Sequence, residues 1–309
     1  MSVVFRFLIQ ARDKLYRSGI LPTLRLNHPV ISVGNLTVGG TGKTPLVIAL
    51  AEAFREKGFR PVILSRGYGR TGRSIVIDGS SWKEAGDEPF LMKRRLGDVH
   101  VVVGADRYQA GLAAEKNELG NLFILDDGFQ HRRLHRNVDI LAIDPVEWAA
   151  GEALLPTGRW REPKSAATRA HLACIQEIDG AVMPCLPIPS FRVRYEVDGV
   201  YSGHTRLELN SLKQSPVVAF AGIAKPQRFF STLESIGIKP LKCVPFRDHH
   251  DYSKREIENL GGDILITTEK DAVRLDPIPG RTCCYLRISA KIADFERLYS
   301  LVMRHLPNL

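Results

Sequence analysis

Glycines, a lysine and a threonine stand together in Gly34-Asn-Leu-Thr-Val-Gly39-Gly40-Thr41-Gly42-Lys43-Thr44-Pro45. The apolar run Val30–Val33 precedes them and the helix-like LVIALAEAF follows. This spacing suits phosphate binding. Glycines let backbone N–H groups turn inward on phosphate oxygens, the lysine meets the β- and γ-phosphates, and the threonine hydroxyl ligates Mg²⁺ at the helix N-terminus. Thr37, Val38, Gly39, Gly40, Thr41, Gly42, Lys43 and Thr44 are the expected nucleotide residues of this P-loop. Pro45 falls in the first helical turn, where its missing N–H costs little. The pattern G-x-x-x-x-G-K-[ST] asks for glycine where Thr37 stands, and Gly39 and Gly40 supply the flexibility instead.

A P-loop needs a further carboxylate for its metal, and Leu122-Phe-Ile-Leu-Asp126-Asp127 is an apolar strand ending in two acids. With that strand beside the P-loop strand, Asp126 and Asp127 would hold Mg²⁺, and His131, Arg132 and Arg133 would bring cations close by. Taken by themselves, Asp87 reads first as a helix N-cap before Glu88-Pro89 and His249 as a loop histidine, with a proton acceptor and its partner as the lesser reading.

These groups must be positioned by regular elements. Apolar, β-branched runs at Val30–Val33, Pro61–Leu64, Val99–Val103, Leu122–Leu125 and Val138–Ile143 alternate with helix-like stretches such as Leu46–Lys57 and Arg107–Lys116. The pattern predicts an α/β fold, a P-loop NTPase-type, mostly parallel sheet with helices on both faces. Pro184, Pro187 and Pro189 mark a linker or edge segment, beyond which Phe191–Val197, Val217–Gly222 and Asp263–Thr268 suggest a smaller C-terminal α/β unit. The expected organisation is a lead-in at 1–28, a P-loop core at 29–185 and the smaller unit at 186–309.

The chain has 309 residues with 44% hydrophobic and 25% charged, which excludes disordered, collagen-like and coiled-coil classes. Its 43 Lys or Arg against 34 Asp or Glu give +9, dispersed along the chain. The 5 cysteines show no C-x-x-C pair and no zinc-finger spacing. The N-terminus lacks the features of a secretory signal, so a reducing, cytoplasmic compartment is expected. No window is long and apolar enough to span a bilayer. Residues 1–20 still form an amphipathic pattern: Val4, Leu8, Ala11 and Leu15 on one face, flanked by Phe5 and Phe7, with Arg6, Gln10, Asp13 and Arg17 opposite. Arg6, Arg12, Lys14, Arg17 and Arg25 face only Asp13 in charge, so this helix suits either a core or an anionic membrane surface.

The runs GNLTVGGTGKTP (34–45), SRGYGR (65–70), GDEP (86–89), LDDGFQHR (125–132), FRDHH (246–250) and TTEKD (267–271) together resemble the tetraacyldisaccharide 4′-kinases of lipid A synthesis. Thr37 at the glycine position is this family's own habit. The resemblance implies transfer of the ATP γ-phosphate to the 4′-hydroxyl of a tetraacylated glucosamine disaccharide 1-phosphate, at the cytoplasmic face of the inner membrane of a Gram-negative-type bacterium. It implies Asp87 as the base that receives the hydroxyl proton, His249 as its assistant with His250 in reserve, and Asp126 and Asp127 near the metal. Arg66, Arg70, Arg159 and Arg161 become candidate clamps for the far phosphate or plain surface charge. The acyl chains would be received by the N-terminal helix and the membrane. Thr267–Asp271 has no evident role beyond holding a loop near the site.

Other classes fit less well. The guanine-reading Asn/Thr-Lys-x-Asp motif has only Thr268-Glu-Lys-Asp271, with its lysine one place late, and a metal chaperone would need a Cys/His cluster. No nucleic-acid motif interleaves aromatics with the dispersed charge, so a nucleic-acid partner is not expected. A membrane-surface scaffold that binds ATP without transferring phosphate is the remaining alternative.

Overall fold

The computed structural model describes residues 2–276 and 280–307. Its first half runs α1 (Ser2–Arg17), β1 (Val30–Gly34), α2 (Lys43–Glu56), β2 (Pro61–Ser65), β3 (Val76–Ile77), α3 (Trp82–Ala85), α4 (Asp87–Leu96), β4 (His100–Val103), α5 (Arg107–Lys116), β5 (Leu122–Asp126), β6 (Val138–Ile143), α6 (Pro145–Ala149) and β7 (Leu172–Gln176). The second half runs β8 (Ser190–Ser202), β9 (Thr205–Leu207), α7 (Leu209–Lys213), β10 (Val217–Ala221), α8 (Pro226–Ser235), β11 (Lys242–Pro245), α9 (Lys254–Glu258), β12 (Ile264–Thr268), α10 (Glu269–Ala272), β13 (Thr282–Ile292) and α11 (Phe295–Met303).

All the strands join one sheet in the order β11-β10-β12-β13-β8-β7-β6-β1-β5-β2-β4-β3, with β9 paired to β8. Pairing is parallel except for β3 with β4, β8 with β9 and β8 with β13. The parallel strands β1, β2, β5, β6 and β10 are buried on both faces, which is why they read as apolar runs, whereas the edge strand β11 is mostly exposed. Ile31, Val33, Ile63 and Ile124 pack with α2 and α4 on one face, while Val30, Val62, Phe123 and Leu125 pack with Ala110 and Ala114 of α5 on the other. Phe54 of α2 also meets Phe295 and Tyr299 of α11, so the last helix closes over the P-loop helix.

The proline segment connects β7 to β8, and sheet pairing continues across it from Ala173↔Ser190 to Gln176↔Val193. Around α8, a separate apolar cluster gathers Phe229, Phe230 and Leu233 against Val217, Ala219, Ala221 and Ile266.

The N-terminal helix docks through a mixed apolar and charged face. Its buried side carries Ile9, partly buried Phe5, Arg12 paired with Glu162, and Asp13 paired with Arg132 and Arg169. Asp13, which the wheel places opposite the apolar face, is thus a docking residue, held by Arg132 and Arg169. Phe7 is 68% and Leu8 59% exposed, and Leu15 also faces outward. Val4 lies outside the residues whose side chains are described.

Candidate functional site

The chemistry gathers at the carboxyl ends of parallel strands, where open α/β sheets place ligands. β1 feeds the P-loop, β2 ends on Ser65, β5 on Asp126, and β12 runs into Lys270. The register Val33↔Asp126 sets β5 directly beside the P-loop strand, as the two terminal acids require.

Left-handed backbone at Gly39 (φ 108°) and Gly42 (φ 73°) shapes the loop, and Gly42 caps α2. Thr37 is outside that region, so glycine is not needed there; its hydroxyl instead donates to Glu147 at 2.9 Å. Lys43 Nζ donates to Asn35 Oδ1 at 3.1 Å and lies 3.5 Å from Asp127. A strap from residues 159–161 closes the loop: Val38 N–H donates to Arg159 O, the Arg159 guanidinium donates back to Val38 O, and Arg161 N–H donates to Leu36 O. A Cβ on Gly39 would stand 2.2 Å from the tip of that flexible guanidinium, which can swing aside, so it is the φ of 108° that demands glycine.

Asp126 is buried and accepts from Ser65 Oγ at 3.0 Å. Burial, then the charges of Glu88 and Asp127, push its carboxyl up to about 7. Asp127, held at φ 50°, takes two contacts from Arg161 Nη1 at 2.7 and 3.0 Å. Burial raises Asp127, but Lys43 and Arg161 outweigh it and hold the group below the usual carboxylate range. One acid of the pair is therefore ion-paired, and the other is short of positive charge.

Asp87 opens α4, with Gly86 as the N-cap, so the N-cap alternative for Asp87 does not hold. It is 4% exposed, and its Oδ1 accepts from Glu88 N–H at 2.9 Å. Its Oδ2 lies 2.9 Å from His249 Nδ1, 3.9 Å from Lys270 and 4.0 Å from Arg274, yet no well-aligned hydrogen bond reaches it. Burial raises Asp87, but His249, Lys270 and Arg274 together pull it below its ordinary value. His249 sits in the left-handed region (φ 57°) with its N–H donated to Gly222 O, and Tyr68 lies 5.1 Å from its ring. His250 turns instead to Glu256 at 3.1 Å and stacks on Phe246. The geometry therefore brings His249, not His250, to Asp87.

Of the four expected clamps, Arg159 and Arg161 are committed to the P-loop and Asp127, while Arg66 is exposed and Arg70 Nη1 is buried without a partner. The cations expected after Asp127 are placed otherwise. Arg132 pairs with Asp13, Arg133 with Asp106, and burial with nearby Arg107 drops His131 to about 4, leaving it neutral. Sequence reasoning missed Arg107, buried and close enough to feel the charges of Asp127 and Asp126, and it missed Ser65, Asn35, Glu88 and Lys270. Ser65, Glu88 and Lys270 all lie inside the quoted runs; Arg107 directly follows Asp106, the N-cap of α5.

The TTEKD run has a structural role. Asp271, fully buried, accepts from Gly222 N–H, Tyr252 O–H and Thr268 O–H, and pairs with Arg274. This braces the turn that carries His249. Asp271→Ala leaves the buried Arg274 charge with only the 4.0 Å ion-pair contact to Asp87, so an unfolding free energy lower by about 3–5 kcal/mol is expected in urea titration; a loss below about 1 kcal/mol would show that the brace is dispensable.

The family model described as tetraacyldisaccharide-1-P 4′-kinase matches residues 1–307. The chain belongs to this kinase family. A tetraacyldisaccharide 4′-kinase of Geobacter metallireducens is 42% identical over 299 residues, covering 91% of this chain and 88% of the relative. The Aquifex aeolicus kinase is 37% identical over 312 residues, covering 98% and 96%. A crystal structure of LpxK from Aquifex aeolicus in complex with ATP superposes with a TM-score of 0.87 at 37% identity, covering 99% of this chain and 97% of that one. The P-loop, Asp126 at the end of β5 with Asp127 after it, and the Asp87–His249 pair thus belong to a 4′-kinase fold.

Proposed function

We infer that the chain transfers the γ-phosphate of ATP to the 4′-hydroxyl of tetraacyldisaccharide 1-phosphate in lipid A biosynthesis. The observation that carries this is the meeting of P-loop Lys43 and the Asp87–His249 pair at one end of one sheet. In the step, the 4′-oxygen bonds the γ-phosphorus, the bond to the β–γ bridging oxygen breaks to release ADP, and the hydroxyl proton passes to Asp87. Phosphoryl transfer is mostly positioning and charge neutralisation, so an acceptor held below its ordinary basicity suffices to aim the hydroxyl.

Lys43 and the Gly39–Thr44 backbone are proposed to hold the triphosphate. The Thr44 hydroxyl and the Asp126 and Asp127 carboxylates form a hard-oxygen donor set that suits Mg²⁺. The charge deficit at Asp126 supports the fit, and the ion would supply charge neutralisation on the phosphates. Arg66 and Arg70 are proposed to meet the anionic disaccharide, with Arg159 and Arg161 kept on the nucleotide side. We retain the lead-in of 1–28, the core of 29–185 and the C-terminal unit of 186–309 that carries His249.

No helix among the described residues is long and apolar enough to cross a membrane. We propose peripheral attachment to the cytoplasmic face of the inner membrane through α1. The outward Phe7, Leu8 and Leu15 beside Lys14 and Arg17 support it. Phe7→Glu with Leu8→Glu should lower co-sedimentation with anionic vesicles more than tenfold, since each apolar side chain contributes roughly 1.5–3 kcal/mol when buried. Stability should stay within about 0.5 kcal/mol, because both positions are exposed. Undiminished vesicle binding would remove α1 as the anchor.

The direct test incubates the protein with Mg²⁺, γ-labelled ATP and the tetraacyl-disaccharide 1-phosphate in detergent. Label in the lipid is expected; ATP bound without labelled lipid would move the scaffold reading forward.

A further inference from the structure

Lys270 stands over the imidazole of His249. Its Nζ lies 3.2 Å from His249 Nε2 and 3.0 Å from Glu88 Oε1. An ammonium has three donors and no acceptor, so the short contact requires His249 Nε2 to present a lone pair. The ring is then neutral, with its proton on Nδ1, the nitrogen that faces Asp87 Oδ2. We propose that Lys270 is a positioning residue that keeps His249 neutral in the Nδ1–H tautomer, leaving Asp87 as the one acceptor for the sugar hydroxyl proton. The inference rests on the Asp87–His249 reading above.

The groups around the ring support this assignment. Asp87 alone would favour an imidazolium, and Arg274 shares that carboxylate at 4.0 Å. Asp248 Oδ1 would favour a proton on Nε2, but it is 3.9 Å away and 40% exposed, outside hydrogen-bond range. Lys270 is closer and less exposed, so its charge is less screened. Tyr68 covers the ring without adding charge. Burial pulls the Lys270 ammonium down, but Glu88 and Asp87 more than restore it, so the group stays charged. Lys270 also adjoins Asp271, which grips the Gly222 N–H while the Gly222 carbonyl receives His249 N–H. Lysine and imidazole are therefore held in register by one buried brace. A protonated His249 would form an ion pair with Asp87 and draw the carboxylate lone pairs away from the hydroxyl.

Long-range ¹H–¹⁵N spectra of histidine-labelled protein, assigned with His249→Gln, read the tautomer directly. Nε2 of His249 is expected to carry no proton. In Lys270→Met that nitrogen should take one up. The kcat of that variant should fall by about tenfold, with KM for the lipid within about twofold. Lys270→Arg should restore kcat. A proton on Nε2 in the unmodified protein, or a Lys270→Met kcat equal to the unmodified one, overturns the proposal. The tautomer measurement stands even if Lys270→Met fails to fold. Near-normal turnover in Asp87→Ala would instead remove the underlying dyad, whereas an inactive Asp87→Ala with Nε2 protonated removes only the role of Lys270.

Discussion

Asp87→Asn should lower kcat by roughly 10²–10⁴-fold, the range for loss of a positioned proton acceptor, while KM for ATP changes by no more than about twofold. The asparagine keeps the shape and can still accept from Glu88 N–H, the bond that fixes the carboxylate plane. What it loses is the acceptor charge at Oδ2, the buried oxygen with no well-aligned donor. ATP affinity should survive because Lys43 and the P-loop glycines lie on other elements. The acid side of the profile follows from the sign of the shift. Asp87 is held below its ordinary value, so it is ionised throughout pH 6–9, and its protonation limits turnover only in the acid range. The same depression stabilises the fold above the unfolded carboxylate value and is lost as pH falls through the folded one. Asp87→Asn gives up that contribution at neutral pH, so its urea midpoint should be measured beside its kinetics. Turnover within about threefold of the unmodified enzyme, with lipid and ATP saturating, would refute the acceptor role.

The parts of this site that were legible in the sequence are those whose physics is local. A P-loop is one strand, one loop and one helix, and Val30–Gly34 and Lys43–Glu56 fall within a few residues of the apolar pattern. Asp126 was readable because a strand ending in acids has few other uses beside a phosphate loop, and the β1–β5 register bears out that adjacency. At larger separations the Asp87–His249 pair came only through the family resemblance, and the other pairings were not readable. Lys270 and Glu88 are 182 residues apart, and only the fold tells that a lysine in a short run faces an imidazole. The quoted runs marked where the site residues lie, but not that Asp271 braces and Lys270 contacts. The docking of α1 was not readable for a different reason. A helical wheel cannot show what lies beneath, and here that surface offers Arg132, Arg169 and Glu162, which hold Asp13 and Arg12. Phe7, Leu8 and Leu15 are left outward, where a lipid surface or another apolar partner gives them a use.

Lys43→Ala should reduce kcat/KM for ATP by about 10²–10³-fold, the magnitude typical of removing one charge aimed at a developing anion in a closed site. Lys43 is held ready by two contacts, Asn35 Oδ1 and Asp127 Oδ1, and its side chain is only 13% exposed. Those contacts place the ammonium between Asp127 and the loop that cradles the phosphates, so nucleotide binding needs little rearrangement of the lysine. Lys43→Arg is not a conservative rescue. The guanidinium fork is larger and planar, and Asn35 is already engaged with Thr41 as well as Lys43, leaving little room for it. Both variants should therefore lose transfer, and the loss should appear in ATP binding as well as turnover, unlike Asp87→Asn. Folding should change little, because Arg161 remains on Asp127 after Lys43 is gone. Calorimetric titration with a non-hydrolysable ATP analogue separates the two variants: weakened binding in Lys43→Ala beside preserved binding in Asp87→Asn is the expected pair. If Lys43→Ala binds the analogue normally, the lysine acts only on the transition state, and the kcat loss alone then measures its contribution.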